Sequence, residues 1–330
     1  MSAILDFSKG KAAIAITKNG ETPWHGYGTR VPDNADLDQW RIAAGLDYHV
    51  EECPCYAAMG DSQILVPDKR VLVRDDTNAP LSVVSDRYKL VQTQEIFDFF
   101  KTLCSEMNFE LETAGGLDGG RRVWALAKTP DNFRLMGQDE VNGYLLLATS
   151  FDGSLATSAR FTTVRVVCQN TLTAAQRDKK NVATVRHVSK FDASAVKAEL
   201  GISAEFMAQF ETDATLLAQT EISPDETRAY FETLLENAAF EFDKSGKKEE
   251  ENRTDFSKKF KAIIDCYLNG DGAQYKSSKN TLWGAVNAVT NFVDHKVQAK
   301  NDNSRLNQAW FGHGESLKNK AFKLALQTAA

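Results

Sequence analysis

No apolar run in this chain approaches the roughly 20 residues that a membrane-spanning helix requires. Its opening residues, MSAILDFSKGKAAIAITKNG, hold a broken apolar patch with no cleavage-type signal behind it. Cysteine is scarce. Five cysteines, an odd number, are spread over 330 residues, which fits reduced thiols and excludes a disulfide framework. These absences lead us to expect a cytoplasmic protein with no membrane partner. An overall positive charge is missing as well: the net charge of −6 excludes a protein that is basic throughout, but not one with a local basic face.

Familiar catalytic patterns are also missing. There is no GxSxG, no HExxH and no paired-carboxylate signature. GGLDGG (115–120) lacks the Gly-Lys-Ser/Thr ending of a phosphate loop and lies between two strand-like segments, so it reads as a hairpin. Cys53-Pro-Cys55 has one intervening residue where a zinc knuckle or redox pair has two, and no second Cys pair exists. His25, His49, His187, His295 and His313 are scattered without metal-ligand spacing. We therefore expect no cofactor, no metal and no catalytic residue, and an enzyme is the less favoured class. TPWHGYGTR (22–30) and WFGHGE (310–315) gather aromatics and glycines. Each reads as a surface loop tucked onto the core, or as backbone that approaches a partner closely.

What is present is ordinary globular composition, with 42% hydrophobic and 25% charged residues, and an uneven charge map. Residues 160–190 hold seven Lys/Arg and one acid, whereas residues 199–255 hold fifteen acids and five Lys/Arg. Residues 296–323 are basic again, with six Lys/Arg against Asp302 and Glu315. Blocks of this kind are either solvated faces or partner surfaces.

Pattern reading divides the chain into an α+β domain over 1–190, with its core at 91–190, and a mainly helical region over 191–330. The N-terminal part is mixed: a short helix over 35–45 with Trp40 inward, then strand-like segments at 48–58, 63–76 and 81–91. Ile96, Phe99, Phe100, Leu103 and Met107 recur at helical spacing and predict an amphipathic helix over 93–107. Strands at 108–114 and 121–129 flank GGLDGG, and GYLLLATS (143–150) and the strand within FDGSLATSARFTTVRVVCQNTL (151–172) flank Asp152-Gly153. A helix is expected to start at Asn170 or Thr171. The expected core is an antiparallel β-meander flanked by helices. Further on, SPDE (223–226) is a capping-box helix start. Leu282, Trp283, Val286, Val289 and Val293 form one helical stripe, and 316–329 reads as a basic amphipathic helix.

The stretch FDGSLATSARFTTVRVVCQNTL (151–172) puts Arg160, Arg165 and six hydroxyls where a core strand would carry Val and Ile. Arg177, Lys179, Lys180, Arg186, His187 and Lys190 continue the charge. Arginines on a sheet with nearby hydroxyls can hold phosphate oxygens, and Trp124 and Phe161 are candidates for base stacking. Because they lie five residues apart on a strand, Arg160 and Arg165 must occupy opposite faces. The competing explanations are a paired arginine and core aromatics, with the helix dipole accounting for Arg177, Lys179 and Lys180.

TPWHGYGTRV, SDRYKLVQTQEIFDFF, YLLLATSFDGS, FTTVRVVCQNTL, VRHVSKF, NTLWGAVNAVTNFVDH and WFGHGESLKNKA occur in that order between residues 22 and 326. This series resembles the phage/plasmid-like family carrying a domain of unknown function, the domain-of-unknown-function 932 family. Tyr27 departs from the small or aliphatic residue expected there. The resemblance implies a phage, plasmid or integrated-element origin and the company of DNA-processing functions, and it brings no catalytic residue. The helix–meander–helix order is similar to the core of the Rad52-like annealing proteins, which is an analogy of fold. The expected function is non-enzymatic nucleic-acid binding, with single-stranded DNA annealing or recombination as the specific form and single-stranded DNA as partner. A homo-oligomer is expected, acidic surface meeting basic surface. The alternative is a mobile-element module that binds a host or phage protein.

Overall fold

A computed structural model describes residues 6–17, 28–165, 170–172, 182–185, 192, 203–242, 249–297 and 312–330. In chain order the strands and first helices are β1 (Ile14–Thr17), β2 (Thr29–Val31), α1 (Leu37–Ala43), β3 (Val50–Met59), β4 (Ser62–Arg74), β5 (Pro80–Ser85), α2 (Thr93–Glu106), β6 (Glu110–Leu117), β7 (Arg122–Leu135), β8 (Asp139–Ser150), β9 (Thr157–Arg165), β10 (Asn170–Leu172) and β11 (Val182–Val185). Helices follow: α3 (Ser203–Gln219), α4 (Pro224–Phe242), α5 (Glu249–Asn269), α6 (Leu282–Asn291) with a π-helical turn over Phe292–Lys296, and α7 (His313–Ala329). The fold is α+β. Two compact units are built from described residues of 1–130, 144–161 and 180–201, and of 131–143, 162–179 and 202–330.

The larger sheet has the order β10-β9-β8-β7-β6-β1-β2, with β11 also pairing β9. β6 pairs antiparallel with β7, and β9 pairs antiparallel with β10 and with β11. β1 joins β6 antiparallel and β2 in parallel, so the short apolar stretch AIAIT extends the sheet beyond the expected meander. GGLDGG is the expected β6–β7 hairpin: Asp118 and Gly119 both take positive φ, which a tight turn of this hand requires. The turn around Asp152-Gly153 is longer than a two-residue hairpin and occupies 151–156. The expected helix at Asn170 is not formed; Asn170, Thr171 and Leu172 pair instead with Arg165, Val164 and Thr163. Ladder hydrogen bonds along β9 prevail over a local N-cap preference.

In the first unit α2 packs as the spacing predicts. Ile96, Phe97, Phe99, Phe100 and Leu103 are buried, while Met107 is exposed at the helix end. α1 begins at Asp36 with a capping box to Gln39, and Trp40 faces inward. β3, β4 and β5 form a separate antiparallel sheet in which β5 pairs only Lys69–Val73 of β4. Beyond that point β3 and β4 continue as a two-stranded arm, Tyr56 opposite Leu65 and Met59 opposite Ser62, closed at Gly60.

In the second unit α4 starts with the Ser223–Glu226 capping box: the Ser223 N–H donates to Glu226 at 2.8 Å, and the Glu226 N–H donates back to Ser223 Oγ at 3.3 Å. Every residue of α6 is buried, its polar face included. The helix packs against α3, α5 and α7. Phe210 of α3 is the aromatic centre, stacked on Phe206 and Phe322 with Trp283 and Phe133 against it. Such packing contributes the apolar burial that short helices need, since an isolated helix of this length is marginal in water.

Candidate nucleic-acid interface

The sequence-predicted site residues divide into three groups. Trp124 lies in β7 opposite Gly115, whose missing side chain leaves room for the indole, and only 1% of the residue is accessible. Phe161 is 3% accessible. Neither ring offers a face to a base, which corrects the stacking expectation: both aromatics serve the core. Arg160 belongs with them. It sits opposite Val182 at 8% accessibility, so its guanidinium is not an open surface cation. The hydroxyls of β9 are also inside. Thr157, Ser158, Thr162 and Thr163 are all buried, and Thr157 shares a 2.7 Å hydrogen bond with Thr149. They are not aligned for phosphate.

Arg165 is the second group. Its backbone is paired with Asn170 at the end of β9. Arg177, Lys179, Lys180, Arg186, His187 and Lys190 are the third, and they lie outside the described residues. Their place in the chain is nonetheless informative. Lys179 and Lys180 come just before β11 and Arg186 and His187 just after it, and β11 pairs with β9 through Val182↔Arg160 and Val185↔Thr157. β8 is the other neighbour of β9, so β11 is added on the outer side of β9. The basic run therefore brackets a strand at the margin of the sheet.

Sequence reasoning missed two buried polar clusters. In the first unit Arg74 is fully buried. Its guanidinium donates to Asp6, to both oxygens of Asp76 at 2.9 and 2.8 Å, and to the Gly119 carbonyl at 3.1 Å. It also lies 3.9 Å from the centre of the Tyr48 ring, whose hydroxyl donates to the Gly120 carbonyl at 3.0 Å. Lys9 adds ion pairs to Asp47 and Asp76. Burial acts to raise the Asp76 carboxyl, but the hydrogen bonds from Arg74 and Lys9 outweigh it and hold the group at about 2. Burial pushes the Tyr48 phenol far up. This cluster fastens the GGLDGG turn to β4, and both of its cations, Arg74 and Lys9, are paired with carboxylates of Asp6, Asp47 and Asp76. Its signal in the sequence was an arginine on the same strand face as Leu72, which is also buried.

In the second unit Asp139, fully buried, accepts hydrogen bonds from Ser277 Oγ at 2.7 Å and Trp283 Nε1 at 3.0 Å. Lys318 donates to Asp294 at 2.8 Å, with both side chains buried. The helix over 316–329 thus turns one of its lysines inward. A cleft lined by Cys266, Tyr267, Asn287 and Asn291 holds about 10 Å³, room for about one water and far short of a ligand pocket. Among the described residues no group of three His, Cys, Asp or Glu could hold a metal, and no helix is long and apolar enough to cross a membrane.

Compared with known protein families, the chain matches the one described as Domain of unknown function (DUF932), over residues 80–310. No curated protein and no solved structure matches the chain.

Proposed function

The chain belongs to the DUF932 family, whose match spans well over half its length, and from that premise we propose that it is a non-enzymatic nucleic-acid-binding protein of phage or plasmid type. Its proposed action is on single-stranded DNA in the cytoplasm, in annealing or recombination. One observation carries the reading: Arg177, Lys179, Lys180, Arg186 and Lys190 against the single acid Asp178, arranged in the chain on both sides of a strand at the sheet margin. The order of elements, α2 followed by an antiparallel meander, supports the analogy with Rad52-like cores at the level of fold.

With Trp124 and Phe161 in the core, the contacts proposed are to the phosphate backbone. Arg177, Lys179, Lys180, Arg186, His187 and Lys190 supply them. Backbone contact of this type is insensitive to sequence and steeply dependent on salt, because each neutralised phosphate releases counterions. The test is fluorescence anisotropy with single-stranded and duplex oligonucleotides at two salt concentrations. Replacing Arg177, Lys179, Lys180 and Arg186 with Ala should leave the fold intact, weaken binding, and flatten the log–log salt slope by up to about 0.7 per lost contact on a single strand. Wild-type protein that binds neither DNA nor RNA at low salt would end this reading and make the strip a protein-facing or solvated surface.

A further inference from the structure

We propose that the seam between α5 and α6 is a binding site for a single ordered water molecule, held by the side-chain amide of Asn291. Gly284, Asn287 and Asn291 lie three and four residues apart, so they share one face of α6. All three line the cleft described above, opposite Cys266 and Tyr267 of α5 and beside Ser278. Gly284 lets the helix come this close, because a Cβ there would collide with the Ser278 carbonyl. The space left, about 10 Å³ for water-sized centres, is what one water occupies.

Two asparagines of one face meet different fates. Asn287 and Asn291 are each 7% accessible. Asn287 Nδ2 donates to the Trp283 carbonyl, one turn back, at 2.8 Å. That solution is closed to Asn291. One turn back from it is the Asn287 carbonyl, which accepts the Thr290 hydroxyl at 2.9 Å in addition to its place in the helical ladder. A carbonyl has two lone pairs, and both are engaged. The Asn291 amide has no hydrogen-bond partner among the described residues. Buried polar groups are paired with protein or with ordered water, since an unmade bond costs the desolvation of the group. The end of α5 presents a second unmet group. Cys266 O accepts the Gly270 N–H at 3.0 Å and Leu268 O the Gln274 side-chain amide at 3.3 Å, whereas the carbonyl of Tyr267, a residue of the same lining, has no such donor among the described residues.

The chemistry of the lining selects water over an ion. A carboxamide offers two N–H donors and an acceptor oxygen. A cation can satisfy only the oxygen and an anion only the N–H groups; a water molecule both donates and accepts. A divalent cation would also need about six oxygen ligands, and the one carboxylate in the lining, Asp271, is exposed. Burial pushes the Cys266 thiol up to about 11 against the pull of the Lys296 charge. The lining therefore contributes a neutral thiol and feels a nearby cation, and both disfavour a bound metal ion.

A crystal structure of the full chain, at a resolution that shows ordered solvent and with rubidium as the monovalent cation in the crystallisation solution, tests the proposal. The expected result is one density peak at about 2.7–3.2 Å from the Asn291 amide, with no anomalous signal from rubidium. Asn291→Leu keeps the shape of the side chain and removes its polar atoms. Its crystal should lack the peak while the far-ultraviolet circular dichroism spectrum stays that of the wild type. If that variant does not fold, the wild-type crystal decides alone. A wild-type structure with no peak, a rubidium signal at the position, or a protein group bonded directly to the Asn291 amide would each overturn the proposal. A peak that persists in Asn291→Leu would overturn it as well, since the water would then be held by other groups.

Discussion

Replacing Arg74 with Met removes a cation that the first unit cannot replace. Asp6, 2% accessible, keeps the Ser8 N–H on Oδ1 at 2.8 Å and the Ser8 hydroxyl, but Oδ2 loses its guanidinium donor. The Gly119 carbonyl loses its 3.1 Å donor too, whereas Asp76 retains Lys9 at 3.0 Å. Leaving a buried carboxylate uncompensated costs about 3–5 kcal/mol, a large share of the roughly 5–15 kcal/mol that stabilises a typical protein. Urea unfolding, followed by hydrogen exchange of amides in 48–50 and 115–123, should show that loss in the single variant. Adding Asp6→Asn removes the stranded charge, so the double variant should recover part of the loss instead of summing two losses. The pH dependence follows from Asp76. Its carboxyl is depressed to about 2, below the ordinary value of about 3.9, so its contribution is present above the ordinary range and is lost as pH falls toward 2. Without Arg74 that carboxyl rises, and acid destabilisation begins at a higher pH. A single variant within about 1 kcal/mol of wild type, or a double variant that loses the sum, would refute the claim that Arg74 is the paired hub of this unit.

Two glycines provide a contrast. At Gly120 (φ +88) an added Cβ would meet Tyr48 Oη at 2.7 Å and Arg74 Nη1 at 2.8 Å, whereas at Gly153 (φ +72) nothing lies within 4 Å. Thermal unfolding should show Gly153→Ala costing the backbone strain of about 1–2 kcal/mol alone, and Gly120→Ala distinctly more. In the second unit Asp139→Ala leaves the buried Ser277 hydroxyl and Trp283 indole N–H without this acceptor, for an expected loss of about 1–3 kcal/mol per group. Near-ultraviolet circular dichroism, which senses the Trp283 environment, should change with it.

Where local chemistry and tertiary demand agree, the residues announced the structure. SPDE marks the start of α4, glycine and aspartate mark the β6–β7 turn, and the apolar spacing marks α2 and the stripe of α6. Alternation was less informative in the sheet. It says which residues share a face, but Gly143–Ser150 of β8 is buried at every position, so both faces are covered and no alternation survives. The same double burial took Trp124, Phe161, Arg160 and the β9 hydroxyls out of the expected interface. Asn170 had a helix-cap identity, yet its pairing partner was set by a strand whose position depends on the whole sheet. Arg74 was legible only as an oddity of phase, because its partners Asp6 and Asp76 lie on either side of it at very different distances along the chain.

The aromatic centre of the second unit also bears on how the chain is made. Phe210 is covered by Phe322, and Tyr230 donates to the Ala321 carbonyl at 2.7 Å, so residues early in this helical region are capped by α7, near its far end. At typical elongation rates, translation from Phe210 to Phe322 takes on the order of ten seconds. Throughout that interval a nascent chain holds Phe206 and Phe210, joined by Trp283 only in its last third, without their last cover. Synthesis of this unit therefore passes through an exposed apolar intermediate whose lifetime is set by the ribosome, a window in which a chaperone would find it.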